Sequence, residues 1–326
     1  MFTHKYQDII SLENLLITWE RFLRGKRHKK DVILFRMNLD DNLLELHKLL
    51  QNKTYAHSGY SSFNISDPKL RNIHKAVVRD RITHHLIYKE LYPYFDSRFI
   101  YDSYSCRKNK GTHKALDRFR YFAGEVSKNY TRTCYVLKCD IKKFFASIDQ
   151  KILMKILERH IEDLELRELI YKVVGSFHTT THGIGLPLGN LTSQLLVNVY
   201  MHEFDMYVKQ ELRIKYYIRY ADDFVFLSQD KKYLEDLLLK LHNFLNNKLH
   251  LSLHPDKVYI KTYSSGVDFL GWIHFPYHRQ IRTTTKRKII RNMKGYPKRE
   301  TANSYRGVLS HGDTYEIRKK LGIELY

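Results

Sequence analysis

Apolar residues recur at helical spacing along the first fifty positions, as Ile9, Leu12, Leu16 and Trp19 and then as Leu39, Leu43, Leu46 and Leu50. Residues 8–51 are therefore predicted to be largely helical. The run Arg24-Gly25-Lys26-Arg27-His28-Lys29-Lys30 between them reads as an exposed basic loop. A strand pair with a Pro-containing turn is predicted around Phe63–Ile73, followed by a helix from Arg79 to Tyr92. Tyr135–Cys139 is a short apolar strand run that ends at Asp140. Helical period returns over Lys151–Val174, Leu191–Leu212 and Tyr233–Lys248, and strands return over Val258–Ile273. Past residue 277 the aromatic strand pattern gives way to Lys286-Arg287-Lys288, Arg291, Lys294, Lys298 and Arg299. The mixture of helices and strands makes this an α+β chain. Its expected segments are an N-terminal helical part (1–60), a central part (61–276) and a small basic C-terminal part (277–326).

Tyr220-Ala221-Asp222-Asp223 changes that picture. Tyr216-Tyr217-Ile218-Arg219-Tyr220 leads in and Phe224-Val225-Phe226-Leu227-Ser228 leads out. Both flanks are β-branched and aromatic, so the acidic pair sits at the tight turn of a hairpin. Adjacent carboxylates at a hairpin tip add little to stability but suit hard divalent cations, which prefer carboxylate oxygens. A second acid, Asp140, ends the apolar strand in Cys139-Asp140-Ile141-Lys142-Lys143-Phe144-Phe145. If the two strands are neighbours, Asp140, Asp222 and Asp223 converge. Such a cluster can hold two divalent ions for an in-line phosphoryl displacement.

Composition points the same way. Lys and Arg total 56 against 35 Asp and Glu, a net charge of +21, and 25 Tyr lie among the basic positions. A polyanion would relieve that self-repulsion, with rings stacking on bases and cations meeting phosphates, so nucleic acid is favoured over anionic membrane. No apolar run approaches the roughly 20 residues that span a bilayer, and the first residues carry no apolar signal core. The expected location is the cytoplasm, with no membrane partner. Cys106, Cys134 and Cys139 show no metal-ligand spacing and read as reduced structural thiols.

In order and spacing these motifs resemble a reverse transcriptase. The resemblance rests on Lys69 and Arg71 in a basic strand, Asp140 followed five positions later by Phe145, and Gly189 with Ser193. It continues through Tyr220–Asp223, Lys257 and Phe269-Leu270-Gly271-Trp272, and it covers roughly residues 60–275. It implies a right-hand polymerase fold of fingers, palm with an antiparallel sheet, and a short helical thumb at 277–326. It also implies that Asp140, Asp222 and Asp223, with the Ile141 carbonyl, ligate two Mg²⁺ ions, Mn²⁺ being a substitute. Lys69 and Arg71 would grip a deoxynucleoside triphosphate, and Phe145 would exclude a 2′-hydroxyl. Lys257 would donate a proton to pyrophosphate, and Phe269–Trp272 would grip the primer. Template RNA and the RNA–DNA duplex are the implied partners.

The segment Leu188-Gly189-Asn190-Leu191-Thr192-Ser193-Gln194 narrows the resemblance. Most reverse transcriptases carry Gln before that Gly and Pro after that Ser; here Leu188 and Gln194 stand instead. This is similar to the reverse transcriptases of diversity-generating retroelements, within the group II intron-like superfamily, which misincorporate opposite template adenines. The blocks Asp102–His113 and Ser304–His311 look like that group's, and no maturase, RNase H or endonuclease extension is expected. Leu188, Gly189 and Gln194 would then lie at the nucleotide, and a small basic accessory variability protein would be a partner. The alternatives are a group II intron-like or phage-defence reverse transcriptase and a catalytically inert RNA-binding protein with the same fold. An RNA-dependent RNA polymerase is disfavoured by Phe145.

Overall fold

The computed structural model describes residues 1–66, 70–293, 295, 297 and 299–323. The chain begins with α1 (Tyr6–Ile10), α2 (Leu12–Phe22), α3 (Lys30–Met37) and α4 (Leu39–Gln51), then forms β1 (Tyr60–Ser66) and β2 (Leu70–Ala76). Next come α5 (Val78–Asp96), α6 (Thr112–Val126), β3 (Tyr135–Asp140), α7 (Gln150–Glu158), α8 (Leu164–Gly175) and α9 (Leu191–Met206). The hairpin strands β4 (Tyr217–Tyr220) and β5 (Asp223–Ser228) lead into α10 (Lys231–Leu249). The chain ends with β6 (Tyr259–Thr262), β7 (Val267–Phe269), β8 (Trp272–His274), β9 (Arg279–Ile281), α11 (Thr283–Asn292), α12 (Arg299–Leu309) and α13 (Tyr315–Leu321). Residues 67–69, between β1 and β2 and including Lys69, lie outside the described residues.

Two compact units interleave in sequence. The first comprises Met1–Ile100, Lys142–Leu212 and Phe244–Ser252, and the second Tyr101–Ile141, Arg213–Asn243 and Leu253–Tyr326.

The first unit is mainly helical. On α2, Leu15, Thr18, Trp19 and Phe22 make the buried stripe, and Ser11 caps the helix by accepting from Asn14 N at 3.3 Å. Such a cap contributes about 1 kcal/mol. The long period over 151–174 is not one helix: Asp149 caps α7 through Ile152 N and Asp163 caps α8 through Leu166 N. Two Asp side chains that satisfy helix N-termini divide the run in two. Likewise α9 stops at Met206 and continues as a π-helical turn, Tyr207–Glu211. The hairpin β1–β2 is antiparallel, with Tyr60 opposite Ala76 and Ser66 opposite Leu70.

The second unit holds a four-stranded antiparallel sheet in the order β4-β5-β3-β6 and a three-stranded sheet β7-β8-β9. Phe119 and Phe122 of α6 share one core with Val136, Ile218 and Val225 of the sheet and with Phe269, Trp272, Ile289, Leu309 and Ile317. Helix α6 is absent from the elements read above, although Ala115, Phe119, Phe122 and Val126 keep helical spacing. Lys114, Arg118 and Arg120 interrupt its apolar pattern. The turn of the β7–β8 hairpin, Leu270-Gly271, has φ of +50° and +88°. Positive φ at both central positions matches the right-handed twist of paired strands. All three cysteines are free, and burial pushes the Cys134 thiol up to about 12. No helix among the described residues is long and apolar enough to cross a membrane.

Candidate active site

The carboxylates sit where two neighbouring strands begin and end. Asp140 is the last residue of β3, Asp223 is the first of β5, and the two are direct cross-strand partners. Like charges in that position weaken a sheet, so sheet stability does not account for them. Ala221 and Asp222 form a two-residue loop closed by the Tyr220–Asp223 pair. Ala221 has φ +55°, the left-handed region that L residues enter at a cost of about 1–2 kcal/mol. Backbone bonds pin this corner: Ile141 N donates to Asp222 O at 3.1 Å, and His254 N donates to Asp140 O at 2.7 Å. Ile141 is fully packed.

Two lysines face the acids. Lys257 lies on a short 3-10 turn, Pro255–Lys257, and its Nζ stands 2.5 Å from Asp140 Oδ1. Lys138, two residues before Asp140 on β3 and hence on the same face, places Nζ 3.4 Å from Asp223 Oδ2. Burial pushes Asp223 up to about 7; Lys138 pulls it back, while Asp140 and Asp222 raise it further.

Among the described residues no three or more His, Cys, Asp or Glu stand together as a metal-holding group. The donors nevertheless fit a hard cation. The Asp223 Oδ1 atom is buried with no hydrogen-bond partner, and paired carboxylates offer the oxygens such ions prefer. Water and substrate commonly complete a magnesium shell of this kind.

Of the residues expected at the nucleotide, Arg71, Phe145, Leu188, Gly189 and Gln194 lie in the first unit. Arg71 is exposed on β2. Phe145 is half-buried on the short turn Phe144–Ser147, and its carbonyl accepts from Leu186 N at 2.8 Å. The segment Leu188–Asn190 is bound to β2: His74 N donates to Leu188 O at 2.9 Å and Asn190 Nδ2 donates to His74 O at 2.9 Å. Gly189 has φ +108°, and a Cβ there would stand 2.7 Å from Ile73 Cγ2. This position requires glycine. Gln194 is half-buried on the first turn of α9.

Sequence reasoning singled out neither Lys138 nor Arg219. A lysine inside the apolar run Tyr135–Cys139, two positions before an acid, is the signal that points to Lys138.

Comparison with known proteins decides the family. Residues 65–274 match the family described as reverse transcriptase (RNA-dependent DNA polymerase). The chain belongs to the reverse transcriptase family. Its enzyme class, RNA-directed DNA polymerase, goes with that membership, and reverse transcriptases use divalent metal ions, an RNA template and deoxynucleoside triphosphates. Protein YkfC of Escherichia coli is 26% identical over 277 residues, covering 73% of this chain and 70% of that protein. The group II intron-encoded protein LtrA of Lactococcus lactis is 23% identical over 240 residues, covering 52% of this chain and 38% of its own. A telomerase of Candida albicans, in complex with a fragment of telomeric RNA, has a TM-score of 0.51 at 10% identity, covering 74% of this reverse transcriptase and 51% of that chain. The C-terminally truncated apo telomerase of Candida tropicalis scores 0.50 at 12% identity, covering 74% and 60%. The fold is thus the α+β polymerase fold, and the chain spans less than two thirds of LtrA and of both telomerases.

Proposed function

We propose that this reverse transcriptase copies a template RNA into cDNA at the Asp140–Asp222–Asp223 corner, and that it does so with frequent errors at template adenines, as part of a diversity-generating retroelement. The observation that carries the catalytic part is the opposed pair Asp140 and Asp223, with one buried unsatisfied oxygen and a lysine against each acid. Asp140, Asp222 and Asp223, with the Ile141 carbonyl, hold the ions in this reading. Bound Mg²⁺, or Mn²⁺ in its place, would supply charge neutralisation at the reacting phosphate and a lower pKa for the attacking hydroxyl.

The chain's own groups have distinct tasks. Lys257 keeps a proton close to Asp140 and delivers it to the departing pyrophosphate. Lys69 and the exposed Arg71 take the triphosphate through charge-assisted bonds. Phe145, five positions after Asp140, blocks a 2′-hydroxyl by bulk. Leu188 offers an aliphatic side chain where most relatives place an amide, so correct and incorrect pairs differ less in how they are held. Together with Gln194, it supports the retroelement assignment, which also brings an accessory variability protein as partner.

The second reading, a group II intron-like enzyme of ordinary fidelity, draws on the likeness to LtrA. Sequencing of cDNA made from a defined RNA template separates the two. Errors concentrated at template adenines, and reduced by Leu188→Gln, are expected. Uniformly accurate cDNA would refute the retroelement reading and leave the intron-like one.

A further inference from the structure

Arg219 lies on β4, three positions before Asp222, and none of its surface is exposed. A buried guanidinium has lost its water and must be held by hydrogen bonds. Its backbone is fixed on both sides, since Arg219 N donates to Asp102 O at 2.9 Å and Tyr104 N donates to Arg219 O at 2.9 Å. The side chain then forks. One terminal nitrogen donates to Ala221 O at 3.2 Å and the other to Ser103 Oγ at 3.2 Å. The 102–104 loop that receives it is itself anchored, because Arg118 Nε donates to Asp102 Oδ1 at 2.8 Å and Tyr104 OH donates to the same oxygen at 3.2 Å.

The carbonyl of Ala221 belongs to the peptide that joins Ala221 to Asp222. The carbonyl of Asp222 belongs to the next peptide, and it accepts from Ile141 N at 3.1 Å. Both peptide planes that flank the Asp222 Cα are therefore tied down, one by the Arg219 guanidinium and one by the end of β3. Peptides are planar, so tying both sets the backbone torsions of Asp222 and the direction of its Cα–Cβ bond, the base from which its carboxylate reaches out. The strained residue beside it, Ala221, could otherwise relax by rotating that first plane.

We propose that Arg219 is a positioning residue that fixes the orientation of the Asp222 carboxylate by clamping the Ala221–Asp222 peptide to the 102–104 loop. The proposal rests on the reading of Asp222 as a metal ligand. A rigid planar fork is needed to bond two segments at once, and a lysine ammonium cannot replace it.

The test uses the full chain and Mn²⁺ alone as probe, counting free ion by electron paramagnetic resonance. Alongside it run thermal unfolding and single-nucleotide incorporation. Loss of a group that orients a ligand typically weakens metal binding about 10- to 100-fold. For Arg219→Lys we expect the Mn²⁺ dissociation constant to rise about tenfold and kcat to fall by a similar factor, with KM for the nucleotide within about twofold. Ser103→Ala leaves the bond to Ala221 in place and should weaken Mn²⁺ binding by about threefold, less than the loss of an orienting group outright, while the variant still folds with a lowered melting temperature. It carries the test alone if Arg219→Lys does not fold. Unchanged Mn²⁺ binding in a folded Arg219→Lys protein, or in Ser103→Ala when that variant stands alone, would overturn the proposal. An Asp222→Asn variant that binds Mn²⁺ as tightly as the unmodified chain would overturn the metal reading itself, and the clamp with it.

Discussion

Two lysine–carboxylate pairs stand at the end of one sheet, and their surroundings differ. Lys257 meets Asp140 at 2.5 Å with about a third of its side chain exposed (34%). Lys138 meets Asp223 at 3.4 Å with only 8% exposed. A partly solvated pair adds little to stability, because water already screens both charges. A buried pair cannot be broken from one side without leaving a charge stranded in a poor solvent. The same two chemical groups are thus suited to different work: Lys257 can part from its acid and carry a proton elsewhere, whereas Lys138 is a fixed counter-charge.

Removing Lys138 should break this contrast most severely. Lys138→Met should cost about 1–3 kcal/mol in urea unfolding at pH 8.5 with metal chelated, and the loss should shrink as the pH falls and Asp223 takes up a proton. Adding Asp223→Asn should return most of that loss. A single variant as stable as the unmodified chain would mean that the pair does not hold the sheet. Lys257→Ala should behave oppositely, with kcat falling about 100-fold while the unfolding free energy stays within about 0.5 kcal/mol. Steady-state incorporation and urea unfolding on the same preparation check both halves.

The smallest expected effect sharpens the comparison with a third buried base. His274 is almost wholly enclosed, lies edge-on to the Phe119 ring at 5.0 Å, and has a buried Nε2 with no hydrogen bond. Burial first, and then the Arg279 charge, bring its pKa down from 6.5 to about 3. A depressed value means that the folded state favours the neutral ring. The resulting stability is complete above pH 6.5 and is lost as pH falls from there towards 3. The slope from this one group is about 1.4 kcal/mol per pH unit. Comparing unfolding at pH 7 and pH 5 in the unmodified chain and in His274→Leu isolates it. An identical pH dependence in the two would show that the fold leaves the His274 pKa at its unfolded value.

Much of the site was legible because its chemistry is written in short, unusual strings. Two acids between β-branched flanks could be an ordinary turn, and the ordered motifs on either side decided against that; Gly189 precedes a helix in a segment where a Cβ has no room. The pairing of Asp140 with Asp223 was open to inference only through family likeness, since 82 positions separate Asp140 from Asp222 and local pattern does not reach that far. The tasks of Lys138 and Arg219 were hidden for a different reason. Each is a cation in an apolar strand, and only the register shows which acid or carbonyl it meets. Helix α6 was obscured by the basic residues of its exposed face. The division into interleaved units follows from tertiary packing, which no periodicity records.

The claim beneath all of this is that the hairpin carboxylates perform the reaction. Asp222→Asn keeps the shape of the side chain and removes its charge. Incorporation of a single deoxynucleotide into a DNA primer on an RNA template, with Mg²⁺, should fall by at least about 1,000-fold while the melting curve is unchanged. Incorporation at an undiminished rate by the folded variant would contradict the account.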